Sequence, residues 1–147
     1  MTETTSRICT FRVNGLLLGL KVSDVQEVVK SQHITPVPLA PPIVLGLVNL
    51  RGLVLPAVNL KWRIGLQSTE NDCGIHVVLR HGTELISLPV DSIEDVVTLD
   101  NHRRANPPEN LHLSLRDACA AAWDLGNQLL LELDPERLIR QRDSENT

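Results

Sequence analysis

The groups in this chain with the chemistry to hold a metal or move a proton are five histidines, three cysteines and a cluster of carboxylates. His33, His76, His81, His102 and His112 are scattered, without the spacing that brings metal ligands together. Cys73 and His76 stand at i and i+3 and would share a face only on a helix, yet the sequence around them alternates like a strand. Asp91, Glu94 and Asp95 gather at a strand entrance. Paired acid–base catalysis would also need a cleft and a partner group, so a solvated turn is the simpler reading. No glycine-rich phosphate loop, Ser-His-Asp set or HExxH pair occurs. The expectation is no enzyme, no cofactor and no metal, and hence a binding module.

Two charges stand out against that background. Glu27 interrupts the apolar set Val25, Val28 and Val29. Arg51 lies in the polar cluster Asn49-Leu50-Arg51-Gly52, set within an almost unbroken apolar run over residues 42–60. A turn at that cluster folds two apolar strands back on each other and places Arg51 at the tip, with Gly52 free to take φ > 0. Either both charges are merely solvated, or they border an apolar groove and orient a partner. In the second case the rim sets register and encounter rate, and the apolar centre supplies affinity.

The elements that must position these residues read mainly as β. Residues 8–13 alternate, Asn14-Gly15 is a hairpin turn, and residues 16–20 return. Residues 22–30 open with a helical turn, with Ser23 or Asp24 as its cap, and end as strand. Pro36, Pro38, Pro41 and Pro42 enforce an extended crossing segment. The hairpin of residues 46–60 follows, then a short closing turn at 61–65. Six polar residues, 67–72, mark the best internal boundary, after which strands are expected at 75–79, 85–90 and 92–99. Residues 100–110 read as a long loop, 118–122 as helix-compatible, and 123–133 as a hairpin. Asp134-Pro135 starts a helix, with Asp134 as cap and Pro135 in the first turn, ending near Gln141.

The result is an all-β expectation: two small lobes at about 7–66 and 73–133 with a terminal helix over 135–141, and frayed tails at 1–6 and 142–147. The halves share a rhythm of hairpin, strand, loop, hairpin. The length of 147 residues suits one domain, and 42% hydrophobic residues suffice for a core. With Phe11, Trp62 and Trp123 as the aromatics, that core must be aliphatic. A net charge of −4 and few aromatics argue against nucleic-acid binding. No apolar run is long enough to span a membrane, and the first residues lack the pattern of a signal peptide. Three widely spaced cysteines, an odd number, read as reduced thiols of a cytoplasmic protein.

One resemblance covers nearly the whole chain, from about residue 7 to 140. Phe11…Gly19, Val25-Gln26-Glu27-Val28, Ile34-Thr35-Pro36-Val37-Pro38, Pro41-Pro42, Gly46-Leu47-Val48-Asn49-Leu50-Arg51-Gly52, Pro56 and Val90-Asp91-Ser92-Ile93 resemble the CheW family in order and spacing. The tail Asp134-Pro135-Glu136-Arg137-Leu138 is similar to that family's last helix. The resemblance implies two five-stranded SH3-like or OB-like β-barrels packed together. It implies a cytoplasmic, non-enzymatic adaptor between chemoreceptor tips and the regulatory domain of a CheA-type histidine kinase. It assigns Val25, Glu27 and Arg51 to receptor contact, and Asn49 and Gly52 to holding the turn. Where the family has an aspartate and an arginine flanking a leucine, this chain has Asn59-Leu60-Lys61, so a weaker charge pairing is expected at that corner. The competing expectation is a small-molecule-sensing β-barrel, distinguished by an interior cavity.

Overall fold

The computed structural model describes residues 4–66 and 74–140. The polar stretch 67–72, Cys73, the expected helix end at Gln141 and the tail 142–147 lie outside the described residues. Strand β1 (Thr5–Val13) turns at Asn14-Gly15 into β2 (Leu16–Lys21). Both turn residues have positive φ, +49° and +82°, as a two-residue hairpin that follows the strand twist requires. A 3-10 turn at Val22–Asp24 leads into β3 (Val25–Lys30), as the sequence suggests, although no side chain caps that turn. The short β4 (Ile34–Thr35) precedes the hairpin β5 (Val44–Leu50) and β6 (Leu53–Val58) and helix α1 (Leu60–Arg63). Then come β7 (Ile75–His81), β8 (Glu84–Val90) and β9 (Ser92–Asp100). The two-residue β10 (Arg104–Ala105), α2 (Leu113–Ala118), β11 (Cys119–Asp124), β12 (Leu129–Leu133) and α3 (Pro135–Ile139) complete the order.

The strands form two six-stranded sheets, β10-β11-β12-β2-β1-β9 and β3-β7-β8-β6-β5-β4. The all-β reading with a short final helix holds, and Asp134 caps α3 by accepting from the Glu136 N–H. The sixth strand of each sheet is the two-residue β10 or β4; β10 falls within the stretch expected as a loop, and both are too short for a sequence pattern to mark them. Strand β1 begins at Thr5 rather than beyond the expected tail, because Thr5 pairs with Asp100 and the Ser6 hydroxyl donates to Asn101 Oδ1 at 2.6 Å. The helix expected at 118–122 lies earlier, at Leu113–Ala118, and Cys119–Asp124 is strand. Alanine's helical preference is weak beside pairing with β12, where Ala121, Ala122 and Trp123 face Glu132, Leu131 and Leu130.

The sheets do not follow the sequence halves. Strands β3–β8 form one sheet as a continuous segment, inserted between β2 and β9 of the other. The chain crosses between sheets at 21–25 and at 90–92, so the boundary between lobes does not fall between β6 and β7. The physical reason is non-local pairing. Hairpin β7–β8 returns to β6 and β3, and hairpin β1–β2 is completed by β9 and β12. The shared rhythm of the halves is nonetheless visible in the topology. Each sheet has one hairpin joined in parallel to a second hairpin, β2 to β12 and β8 to β6. The two halves of the chain have exchanged their first hairpins.

The main core lies between the sheets and under the helices. It is aliphatic apart from Phe11, with Leu18, Leu20, Val77, Leu79, Leu88 and Leu133 fully buried. On β7, Val77 and Leu79 join this core, while the alternate residue Val78 joins a smaller cluster with Leu50 and Leu55. The first lobe has its own second cluster of Ile8, Leu17, Trp123 and Leu130. There the indole Nε1 donates to buried Glu132 at 3.0 Å.

Candidate interaction site

The turn of the β5–β6 hairpin contains two residues, Arg51 and Gly52, with φ of +52° and +88°. Gly52 takes the positive φ that the sequence suggested, and the Asn49 Oδ1 accepts its N–H at 2.9 Å. Asn49 and Gly52 thus make the turn that presents Arg51. The positive φ of Arg51 itself was not legible, because a two-residue turn of this kind normally draws asparagine, aspartate or glycine at that place. A non-glycine residue here carries roughly 1–2 kcal/mol of backbone cost. Sheet curvature brings that tip to the edge strand β3, and the Arg51 guanidinium donates to Glu27 Oε2. The two charges singled out in the sequence are therefore one ion pair.

On β3, Val25, Glu27 and Val29 are half-buried, while Gln26, Val28 and Lys30 are exposed. The pairing with β7 shifts register between Val25 and Glu27, a bulge that re-aims the strand next to the ion pair. Val25 packs against the main core and Val29 against the smaller Leu50 cluster. Val25 is thus close in sequence to Glu27 but largely committed to the core. The Arg51 side chain is 66% exposed and that of Glu27 30%, so the pair is open to solvent and to a partner. Leu53 and Val54, which follow the turn, are half-exposed, as is Val28. Leu53 and Val54 continue into a shallow groove of about 480 Å3 that reaches Glu84 and Leu85. A charged tip beside exposed aliphatic side chains is the rim-and-centre arrangement of an interaction surface.

The other candidates resolve differently. Asp91, expected as a solvated turn, pins a lobe crossing. It accepts the Asn14 N–H at 2.7 Å and pairs with Lys61 at 3.2 Å, while its own N–H donates to Arg12 O. The corner at Asn59-Leu60-Lys61 therefore keeps an ion pair, and Asn59 caps α1 through the Trp62 N–H at 3.1 Å. Glu94 pairs with Arg12 at 3.6 Å. Cys9 and Cys119 are buried thiols; burial raises both, Cys119 to about 11, so neither is primed as a nucleophile. Among the described residues no three metal-binding side chains converge. No described helix is long and apolar enough to cross a membrane.

Sequence reasoning missed Arg63, dismissed with the closing turn. It is 1% exposed and ties α1 to α2 and α3, donating to Ser114 O at 3.2 Å, Asp117 Oδ2 at 2.7 Å and Arg137 O at 2.8 Å. No local pattern marks a buried arginine whose partners lie so far along the chain.

Two interlocked β lobes carrying a charged, left-handed turn beside exposed aliphatic side chains define a protein-interaction module. Residues 7–143 match the family model of the CheW-like domain, and the chain belongs to that family. It is 26% identical over 146 residues to the chemotaxis protein CheW of Bacillus subtilis (strain 168), an alignment spanning 98% of this chain and 93% of that protein. It is likewise 26% identical over 142 residues to the chemotaxis protein CheW of Treponema pallidum (strain Nichols), spanning 93% and 84%. The fold is similar to that of the scaffolding protein TtCheW from Thermoanaerobacter tengcongensis, with a TM-score of 0.82 at 24% identity, covering 93% and 94% of the two chains.

Proposed function

We propose that this protein is a cytoplasmic adaptor that couples the tips of chemoreceptors to the regulatory domain of a CheA-type histidine kinase, with no chemistry of its own. Residues 7–141 act as one module. Glu27 and Arg51 contact the receptor, Val25 supports that edge, and Asn49 and Gly52 hold the turn. The observation that carries this reading is the Arg51–Glu27 pair itself: an arginine kept at a backbone position that disfavours it, largely exposed, at the margin of an apolar surface. Strain retained at an exposed charged residue points to function, since stability alone would favour asparagine there. The mechanism is bivalent: one surface holds a receptor helix bundle and another the kinase domain, each contact modest in area. Linked weak contacts then gain avidity in an array through effective concentration.

The test is calorimetric titration of the folded protein and of Glu27→Arg with a receptor-tip fragment and, separately, with the kinase regulatory domain. Loss of receptor binding with kinase binding retained supports the assignment. Equal receptor binding by both proteins removes Glu27 from the contact. No kinase binding by either protein removes the adaptor reading.

A further inference from the structure

The second lobe holds a buried imidazole that the adaptor function does not use. His76 is 1% exposed and lies on β7 between Ile75 and Val77, on the strand face opposite Val77 and Leu79. Its Nδ1 lies 3.0 Å from the hydroxyl of Ser87, itself 1% exposed. Among the described residues this is the ring's one hydrogen bond, and Nε2 is not one of the fully buried atoms that lack a partner.

His76 also lines a concave site of about 390 Å3. One wall is the β3–β4 connection, Ser31, Gln32 and His33; the other is aliphatic, from Ile34, Pro36 and Leu45. The volume lies in the range of small-molecule sites.

The lining selects a class of guest. No carboxylate, lysine or arginine lines the site among the described residues, so nothing there offsets the charge of an amine or a phosphate. The polar groups are a hydroxyl, an amide and two imidazoles. One Gln32 amide N–H is given to Lys30 O at 2.8 Å, and its carbonyl remains as an acceptor. The aliphatic wall suits the flat apolar face of a ring, and the polar groups suit an edge carrying both N–H and C=O.

We propose that this site binds a small, uncharged heterocycle of nucleobase size, with its polar edge on His76 Nε2 and the Gln32 carbonyl and one face against Ile34, Pro36 and Leu45. The site goes beyond the adaptor function. It abuts the end of β3, the strand that carries Glu27, so occupancy ties a ligand to the same edge that meets the partner.

Adenine and uracil are the probes, each titrated into the full chain with 15N-labelled histidine. The expected result is a saturable shift of the His76 ring nitrogens and of the Ser31, Gln32 and His33 amides with at least one base. Ser31 is exposed, so Ser31→Trp is placed to plug the mouth without entering the core. It should weaken that binding about tenfold or more, the scale of one lost hydrogen bond to the guest. No shift with either base, or a shift that Ser31→Trp leaves unchanged, overturns the proposal. A shift produced by zinc ions with none from either base overturns the heterocycle assignment.

Discussion

Replacing Arg51 by asparagine separates stability from function at one position. Arg51 has φ of +52° and is followed by Gly52 at +88°. Asn-Gly is the favoured pair for such a turn, whereas an ordinary side chain at the first place costs roughly 1–2 kcal/mol, much of which asparagine avoids. The change also removes the ion pair with Glu27. That pair is solvent-exposed, with side chains 66% and 30% open, and falls in the class worth about 0.2–1 kcal/mol. The two terms oppose each other, and the turn term is the larger. Arg51→Asn should therefore be as stable as the parent, or more stable by up to about 1 kcal/mol, a rise in Tm of about 3 °C for a chain of this size. On the proposed adaptor role, receptor coupling should fall, because the guanidinium assigned to that contact is gone. Scanning calorimetry reads the first outcome and titration with a receptor-tip fragment the second. A loss of more than about 2 kcal/mol would show that the ion pair or the arginine stem does more for the fold than its exposure allows. Parent-like receptor binding would show that Arg51 is a solvated charge.

Three further outcomes follow from the packing. Gly46→Ala puts a Cβ onto the Thr35 carbonyl across the β4–β5 pair, at a φ of +153°; a loss of about 1–3 kcal/mol is expected, read by denaturant unfolding, with faster amide exchange at Ile34 and Thr35. Arg63→Met removes the donor to the Ser114 and Arg137 carbonyls and to Asp117, and should cost about 3 kcal/mol and lower Tm by roughly 10 °C; a Tm within about 2 °C of the parent would refute the clamp. Burial lowers the pKa of His76 from 6.5, so the unfolded chain takes up a proton that the native one does not as pH falls. The His76 contribution is therefore fully present above about pH 6.5, declines as pH falls through that value, and levels off below the native pKa. Urea unfolding between about pH 7 and 5 should show a shallower pH dependence in His76→Gln than in the parent, and equal slopes would refute it.

What the sequence makes legible here is local. Alternation found β1 and β9, and glycine-bearing turns found the hairpins, because those signals act over a few residues. Glu27 and Arg51 were legible as interruptions of apolar runs, and their meeting was not, since it depends on how far the sheet curls. Ala118–Ala122 misled because a helical preference of tenths of a kcal/mol yields to strand pairing. His76 was weighed only as a metal ligand, since its neighbour Ser87 lies on the next strand. Arg63 has partners on α2 and α3, and nothing near it in sequence announces them.

The exchanged hairpins bear on how such an adaptor carries a mechanical signal. The segment β3–β8 is held between two short crossings, a 3-10 turn at Val22–Asp24 and the single residue Asp91. Neither crossing has slack. Asp91 is bonded to the β1–β2 turn through Asn14 and to α1 through Lys61, so it joins elements of both lobes. Arg63 adds a second tie, from α1 at the end of one lobe to α2 and α3 of the other. The main core runs continuously between them. Two lobes joined by a loose linker could each bind a partner and share nothing but effective concentration. Lobes interlocked in this way cannot shift independently without breaking buried contacts. A displacement imposed on the Glu27–Arg51 edge is therefore passed to the first lobe as a whole-body movement and not absorbed in a hinge. For the proposed adaptor, whose role is to hold two partners in register, that stiffness serves where a catalytic group would in an enzyme.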